Sequence, residues 1–236
     1  MTSPLTPRRR RDPEWLDDPA VDPRLRARSL ADVARANALF GGSHAVLAEL
    51  ELALHDDPLE QATLLDVGTG LGDIPRRAVG MARRRGVALR AFGVELVESL
   101  AGAARGPELP VACADARRLP FADGSIDFVT CSQLLHHFDD AGALALLREM
   151  HRVARRRVIV SELRRSWIAA AGIWLVSFPL RFHPVSRHDG VASVFRGFRR
   201  AELRALVRAA VARDAAVRDR IGFRTTAAWA TAESSP

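Results

Sequence analysis

Short apolar runs alternate with helical segments from residue 62 onward, and this alternation constrains the fold more than any other feature. Five runs are candidates for buried strands: "ATLLDV", "VALRAFGVE", "LPVACAD", "IDFVTCS" and "RRVIVSEL". Buried strands separated by helices are typical of a parallel sheet covered on both faces. Since such crossovers are right-handed, the pattern predicts a doubly wound α/β domain. Two strand-like segments near 214–221 and 223–231 are close enough to pair as a hairpin.

The chain before this alternation is predicted to form a tail and a helical cap. Residues 1–23 are rich in proline, lack apolar periodicity and contain the basic run Arg8–Arg11, so we expect a disordered tail. Residues 24–60 are predicted to form a cap of two helices broken at Gly41-Gly42. The α/β domain is then predicted to span residues 61–232, with its last helix over 199–211.

Charge and composition limit the classes of partner. The formal net charge is +7, and every basic residue other than histidine is arginine. This charge permits binding to nucleic acid or to an anionic membrane face, but the arginines are spread over many helices.

Cys113 and Cys131 are too few for a disulfide framework. Because there is no apolar signal segment and no apolar run long enough to span a bilayer, we expect a cytoplasmic protein for which peripheral membrane contact stays open.

A glycine-rich loop, "GTGLG", follows the first predicted strand, at the edge of the sheet where α/β domains bind ligands. Gly68 and Gly70 fit the dinucleotide fingerprint G-x-G-x-x-G, but the third glycine, Gly72, comes one residue early. Asp66 and Asp73 flank the loop and would repel a pyrophosphate. They favour a ligand with an ammonium or sulfonium centre. The loop therefore predicts a nucleoside ligand that carries positive charge.

Two acidic residues after the next strands suit the rest of such a nucleoside. Glu95 ends the second predicted strand, where its carboxylate can accept hydrogen bonds from both ribose hydroxyls. Asp115 follows the third strand and is placed to meet an adenine amino group, with Ala116 beside the ring.

Four segments, "LLDVGTGLGD", "GVE", "ADARRLPFADGSIDFVTCSQLLHHF" and "EMHRVARRRVIVSEL", resemble successive motifs of class I S-adenosylmethionine-dependent methyltransferases. They are most similar to the type 11 group, which includes the quinone-biosynthesis C-methyltransferases. The resemblance covers about residues 37–165, since "NALFGG" is similar to the helix that precedes the domain in the quinone enzymes. It implies a seven-stranded sheet of order 3-2-1-4-5-7-6 with strand 7 antiparallel. Where the family has Gly-Gly before strand five this chain has "ARRR", which predicts a shorter turn.

The resemblance also implies the cofactor S-adenosylmethionine and its product S-adenosylhomocysteine. The G-x-G-x-G spacing with its flanking Asp66 and Asp73 predicts poor binding of NAD. The implied cofactor-binding residues lie at the ends of the first four strands: Asp66, Gly68, Thr69, Gly70, Gly72, Glu95, Asp115, Ala116, Ser132 and Gln133.

The residues after the fourth strand bear on the methyl acceptor. Amino methyltransferases of nucleic acids carry a D/N-P-P-aromatic motif at this place, whereas this chain reads Cys131-Ser132-Gln133-Leu134. Neither cysteine follows a proline, so the nucleophile motif of the pyrimidine C5 enzymes is missing too. We therefore expect a small-molecule acceptor, methylated on oxygen or carbon and apolar or aromatic. An RNA methyltransferase and a non-catalytic protein that binds S-adenosylmethionine are the alternatives.

His136 and His137 come next and are the candidate catalytic residues. A histidine can take a proton from a phenol or an activated carbon acid near neutral pH. The competing interpretation is that one of them is a core residue or caps a helix. The resemblance favours His137 as the base.

An uncharged segment over residues 167–180 follows the fifth strand. It is too short to span a bilayer, and as a helix it would be apolar all round, so it should be buried or should line a site for an apolar acceptor. Residues 182–190 are predicted to be a polar loop, either a solvated turn or part of the pocket wall. The candidate acceptor-binding residues of these two segments are Trp167, Trp174, Arg187 and His188, and no metal site is predicted.

Overall fold

The computed structural model describes residues 6–18 and 20–231. Seven strands form one sheet of order β3-β2-β1-β4-β5-β7-β6, in which β7 pairs antiparallel with β5 and β6. This arrangement confirms the predicted doubly wound fold and strand order. The strands are β1 (Gln61–Val67), β2 (Ala88–Glu95), β3 (Val111–Cys113), β4 (Ile126–Ser132), β5 (Ala154–Leu163), β6 (Ala216–Arg220) and β7 (Arg224–Ala230).

Helices cover both faces of the sheet because the central strands are apolar on both sides. Leu64 and Phe128 belong to the core under α2, α3 and α4, whereas their neighbours Leu65 and Val129 belong to the core under α5 and α8. All four side chains are fully buried. The helices are α1 (Pro23–Leu39), α2 (Gly42–Asp56), α3 (Asp73–Arg84), α4 (Glu98–Ala104), α5 (Asp140–Val153), α6 (Trp167–Ser177), α7 (Pro184–Arg196) and α8 (Arg200–Val211).

The junction between α5 and β5 has the shortened turn that "ARRR" predicts. α5 ends at Val153 and β5 begins at Ala154, with no residue between them. Arg155 and Arg156 place guanidinium nitrogens 3.3 and 3.2 Å from a carboxylate oxygen of Asp127, which is itself buried at the start of β4. The arginines therefore neutralise a carboxylate at the amino edge of the sheet.

The prediction of a polar loop over residues 182–190 is wrong, because most of this segment lies in α7. Pro184 occupies the first turn, where a missing N–H costs nothing, and the His183 side chain caps the helix by accepting from the Val185 backbone N–H. Asp189 is buried, and its carboxylate accepts the backbone N–H groups of Trp15 and Leu16 at 2.9 and 3.0 Å. The polarity of this segment thus reflects partners far away in the sequence.

The predicted disordered tail also differs from the structure, which packs residues 6–18 against α7 and against Arg165 between β5 and α6. We call residues 6–18 the N-terminal strap. The Arg10 backbone N–H donates to the Phe195 carbonyl, and the Arg165 side chain donates to the Pro7 carbonyl. Arg9 and Arg10 lie over the rings of Phe198 and Phe195, so the basic run is partly anchored by cation–π contacts. Residues 1–5 and 19 of the predicted tail lie outside the described residues.

The two cap helices meet at Gly41, as predicted. Gly41 has a φ of +76°, which favours glycine and lets the chain leave α1 and enter α2. Within the described ranges, no helix is both long and apolar enough to cross a membrane.

Candidate cofactor and acceptor sites

The glycine loop between β1 and α3 places one open glycine between two packed ones. Gly68, Gly70 and Gly72 all have positive φ values, of 69°, 55° and 74°. A Cβ atom on Gly68 would lie 2.9 Å from Leu134, and one on Gly72 would lie 2.5 Å from Leu109. A Cβ atom on Gly70 would meet nothing within 4 Å. The outer glycines are therefore needed for packing, while Gly70 leaves space that a ligand can occupy.

The neighbouring strand β2 fixes this loop. The backbone N–H groups of Gly68 and Thr69 donate to the Val94 carbonyl at 2.8 and 3.0 Å. Gly93 makes room for Thr69, because a Cβ atom there would lie 2.7 Å from its methyl group. The loop is thus held by backbone contacts that do not depend on a bound ligand.

Glu95 lies at the end of β2, and its carboxylate reaches the loop. One carboxylate oxygen accepts the Gly70 backbone N–H at 3.0 Å, and the other accepts the Val97 backbone N–H at 3.2 Å. Each oxygen keeps lone pairs for further donors. The side chain is therefore oriented beside Gly70, where the predicted ribose contact needs it.

Asp66 lies beneath the loop and is almost fully buried. Its carboxylate accepts from the Thr130 hydroxyl at 2.8 Å. Burial raises the pKa of Asp66 to about 7, because the charged form loses its hydration. A cation bound beside the loop would favour the ionised form of Asp66.

Asp115 and Ala116 follow β3 at the same edge of the sheet. The Asp115 carboxylate accepts the Arg117 side chain at 2.7 Å and the Arg117 backbone N–H at 2.8 Å, and these hydrogen bonds lower its pKa. Ala116 packs in the core under α5. Asp115 is thus held in one orientation, and an adenine amino group would share it with Arg117.

Ser132 and Gln133 lie at the end of β4, between the glycine loop and a second cavity. The Ser132 hydroxyl is buried and has no hydrogen-bond partner among the described residues. Gln133 has a φ of +54°, unusual for a residue with a side chain, and its backbone N–H donates to the Ser161 carbonyl. Gln133 also lines the second cavity, which makes it the link between the two regions.

This second cavity has a volume of about 280 Å³ and is mainly apolar. Its walls come from the strap, α1, α6, α7 and the carboxyl edge of β5. The Asp32 carboxylate lines this cavity and already accepts hydrogen bonds from the His183 backbone N–H and the Ser186 hydroxyl. The apolar part of the lining includes Leu16, Val33, Ala36, Phe40, Leu163, Ile168, Ala169, Ile173, Val176, Phe182, Val194 and Phe223.

A buried arginine also faces this cavity. Arg224 begins β7, lines the cavity and is only 4% exposed. Burial lowers its pKa to about 10, so its guanidinium still carries a positive charge near neutral pH. A bound molecule with an anionic or acidic oxygen would gain from this charge.

His136 is buried between two carboxylates. Its Nδ1 lies 2.7 Å from a Glu162 oxygen at the end of β5, and its Nε2 lies 3.6 Å from a Glu14 oxygen on the strap. Burial alone would lower the pKa of His136, but Glu162 and then Glu14 outweigh it and raise the pKa to about 9. The raised pKa favours the protonated form of His136 near neutral pH and so disfavours it as a base, while its catalytic role stays a prediction.

His137 lies in the same short 3-10 turn but points to the surface. Its Nδ1 is 2.9 Å from an Asp17 oxygen of the strap. Burial would raise the pKa of Asp17, but hydrogen bonds from His137 and Arg196 keep it well below its usual range. The ring of His137 is not among the groups that line the cavity.

The structure separates the predicted acceptor-binding residues from this cavity. Trp167 and Trp174 are 47% and 48% exposed on the outer face of α6, while the opposite face lines the cavity. Arg187 and His188 face a different groove beside Trp174, where His188 stacks on Trp15. The uncharged segment forms a helix, as expected, but Trp167 and Trp174 lie on its outer side, away from the cavity.

Sequence reasoning missed the residues that the strap, α1 and β7 contribute. Glu14, Leu16 and Arg224 come from distant parts of the chain and carry no local signal. Glu162 could have been found, because it is a carboxylate at the carboxyl end of an apolar strand, as are Asp66 and Glu95.

A family model described as a methyltransferase domain matches residues 65–160, from β1 to β5. No curated protein sequence matches the chain significantly. Three solved structures share the fold. A SAM-dependent methyltransferase from Aquifex aeolicus is 16% identical, with a TM-score of 0.57 and coverage of 84% of this chain and 98% of that one. Magnesium protoporphyrin IX methyltransferase from Synechocystis, solved with S-adenosylhomocysteine, is 16% identical, with a TM-score of 0.53 and coverage of 80% and 83%.

The third is a methyltransferase from Haloferax volcanii solved in complex with its activator Trm112. It is 18% identical, with a TM-score of 0.53 and coverage of 89% of this chain and 99% of that one. At these identities the structural likeness establishes the fold. These matches do not single out the quinone-biosynthesis branch, which stays a prediction. Residues 65–160 thus match a methyltransferase-domain model, and the chain shares its fold with S-adenosylmethionine-dependent methyltransferases.

Proposed function

We propose that the protein transfers the methyl group of S-adenosylmethionine to an acidic oxygen or activated carbon of a small, mainly apolar molecule bound in the 280 Å³ cavity. The observation that carries the proposal is the position of Gln133. Cys131 in β4 pairs with Val67 in β1, directly before the glycine loop. Gln133 follows Cys131 by two residues and lines the cavity. An acceptor in the cavity would therefore lie next to a cofactor on the loop.

The cofactor would be held by the residues that the sequence singles out. Gly70 leaves open space, Glu95 is oriented beside it, and Asp66 supplies a carboxylate that a cationic ligand would ionise. The unpartnered Ser132 hydroxyl among the described residues is a further donor at this edge. Gly68, Thr69 and Gly72 would shape the loop, while Asp115 and Ala116 would meet the adenine.

The lining of the cavity favours an apolar acceptor with one acidic group. Arg224 adds a buried positive charge to a mainly apolar wall that also includes Glu14, Asp32 and Asp189, and this charge would stabilise the anionic form of a phenol, an enol or a carboxylic acid. An acceptor that is already ionised needs little general-base catalysis, and positioning then supplies much of the rate enhancement. His137, oriented by Asp17, is the candidate base for an acceptor that is not ionised.

Residues 24–60 and the strap would act as a cap in this scheme. They contribute Leu16, Val33, Ala36 and Phe40 to the wall, so the identity of the acceptor would depend on the cap, and cofactor binding would depend on the α/β domain over residues 61–232.

The test is transfer of a labelled methyl group from S-adenosylmethionine to three pools: a metabolite extract, total RNA and total protein. We expect label in an organic-soluble metabolite. Label in RNA would support the rival nucleic-acid activity, which the net charge of +7 favours. Failure to label any pool while S-adenosylhomocysteine still binds would support the non-catalytic alternative.

A cavity-filling variant makes this test specific to the acceptor site. Gly172 lies on α6 and lines the cavity, and a Cβ atom there would meet nothing within 4 Å. We expect Gly172→Leu to fill the cavity and abolish labelling without weakening S-adenosylhomocysteine binding. The matched control is Gly102→Leu, a helical glycine of α4 that also has open space but lies outside the cavity.

A further inference from the structure

The outer face of α6 exposes a compact apolar surface. Five large side chains between residues 167 and 178 are 47–59% exposed. They recur at the spacing of one helical face, with Ala171 between them, and we call them the α6 stripe: Trp167, Ile168, Trp174, Leu175 and Phe178. Isolated exposed apolar residues are normal, but a contiguous set marks a surface that binds something.

The α6 stripe is not the back of an ordinary amphipathic helix. The inner face of α6 is apolar as well, because Ala169 and Ala170 pack in a core cluster with Leu163 and Phe195. A helix that is apolar all round is expected to be covered on all sides. Among the described residues, Phe195 packs on Trp167 and Arg187 packs on Phe178, yet the five large side chains of its outer side stay about half exposed.

The charged residues that neighbour the α6 stripe in the sequence are all basic. The sequence has no Asp or Glu between Glu162 and Asp189. Arg181 and Arg187 follow the stripe, and neither forms an ion pair with a carboxylate of the described residues. The Arg187 guanidinium lies 3.7 Å from the centre of the Phe178 ring and donates to the Ser177 hydroxyl. The apolar surface is therefore bordered by unneutralised positive charge.

The groove between the α6 stripe and the strap is also lined by aromatic and basic side chains. Arg10, Arg187 and His188 line it together with Trp15 and Trp174. Asp12 adds a carboxylate to the same groove. Aromatic and basic side chains meet here at one surface.

We propose that the α6 stripe docks on an anionic membrane surface. Tryptophan is the side chain that prefers the level of the lipid headgroups, and Leu, Ile and Phe enter the acyl boundary beneath it. Arg181 and Arg187 would lie beside the lipid phosphates and gain from their negative charge. Charge complementarity selects an anionic bilayer as the occupant, because the border of the surface is positive and the surface itself is apolar.

The position of Ile168 links this docking surface to the cavity. Ile168 belongs to the α6 stripe and also lines the cavity wall. An apolar acceptor dissolved in the bilayer would therefore enter beside the docked helix. This link rests on the proposed function, whereas docking itself does not.

The test is flotation of the full chain with vesicles of phosphatidylglycerol and phosphatidylcholine in equal parts, compared with phosphatidylcholine alone. We expect binding to the anionic vesicles and a blue shift of the tryptophan fluorescence, since Trp167 and Trp174 would leave water. Trp174→Ser combined with Leu175→Ser should lose affinity by about tenfold or more, because each removes apolar area that binding would bury. Arg181→Gln and Arg187→Gln should each lose roughly fivefold.

Matched controls lie on α2 and α3, away from the α6 stripe and its groove. Arg83→Gln and Arg84→Gln each remove one positive charge from the end of α3, and Leu52→Ser removes a partly exposed leucine from α2. These variants should bind vesicles as the parent does. Equal losses in the control and stripe variants, or no flotation of the parent, would overturn the proposal. The proposal would also be overturned if the parent did not bind vesicles and a stripe variant changed the oligomeric state or the capture of a partner protein. Calorimetric binding of S-adenosylhomocysteine to the same variants tests the cofactor site separately. A failure of membrane docking can then be distinguished from a failure of the proposed function.

Discussion

The two halves of the carboxyl edge of the sheet are built in different ways. At the ends of β1 and β2 the glycine loop is held by backbone hydrogen bonds to Val94 and by the carboxylate of Glu95. At the ends of β4 and β5 the cavity is walled by side chains from the strap, α1, α6, α7 and β7. The proposed cofactor half is therefore local and is fixed by the backbone, whereas the proposed acceptor half depends on long-range packing. Under this proposal, substitutions in the cavity walls would alter the acceptor without disturbing the cofactor.

The largest expected effect concerns the buried ion triad that His136 forms with Glu162 and Glu14 in the acceptor half. Removing one partner of a buried ion pair typically costs about 3–5 kcal/mol, because it leaves an uncompensated charge. We expect His136→Ala to lower the free energy of unfolding by roughly this amount, since Glu162 is fully buried beside it. His137→Ala, which removes a partly exposed pair with Asp17, should cost at most about 1 kcal/mol. Urea unfolding of both variants measures this difference. Equal losses of unfolding free energy would contradict the stabilising role of the triad.

The same triad predicts a dependence of stability on pH. The pKa of His136 is about 9 in the folded chain and near its usual 6.5 in the unfolded one. Its contribution to stability is therefore complete below pH 6.5 and is lost as the pH rises through 9. The parent should become easier to unfold in urea across this window, and His136→Gln should flatten that change.

Breaking the cofactor half should affect binding rather than folding. Glu95→Gln removes a charged acceptor, and hydrogen bonds to a charged group contribute about 1.5–3 kcal/mol. We expect the dissociation constant for S-adenosylhomocysteine to rise by roughly tenfold to hundredfold, measured by calorimetry. Glu98→Gln, in the first turn of α4, is the control and should bind normally. An unchanged constant for Glu95→Gln would remove Glu95 from the site.

A smaller effect should distinguish Asp66 from Glu95. Because the pKa of Asp66 is raised to about 7, its carboxyl is increasingly neutral as the pH falls below that value. A cationic cofactor attracts the ionised form, so affinity for S-adenosylmethionine should increase by a few fold as the pH rises through 7. Asp66→Asn should abolish this dependence, and titration calorimetry at several pH values measures it. A parent whose affinity is flat across neutral pH would contradict the role of Asp66.

The same contrast explains how far the sequence predicted the molecule. The sheet order, the glycine loop, Glu95 and the short turn before β5 follow from local patterns or from the family resemblance. The cavity does not, because Leu16, Arg224 and Ile168 are far apart in the chain and their proximity depends on tertiary packing. His136 shows the same limit, since its protonation depends on Glu14, which lies in a segment that looks like a disordered tail. α7 was missed because buried Asp189 looks like a loop residue when its partners on the strap are unknown.

The most direct measurement of the central claim is calorimetric binding of S-adenosylhomocysteine to three glycine variants. Gly70 and Gly86 both have positive φ, and in both a Cβ atom would meet nothing within 4 Å, so arginine should strain the backbone equally at either position. The account predicts that Gly70→Arg abolishes binding, while Gly86→Arg, in the turn after α3, and Gly172→Leu, in the cavity, bind as the parent does. Binding by folded Gly70→Arg, or its loss in Gly172→Leu, would contradict the division between a cofactor half and an acceptor half.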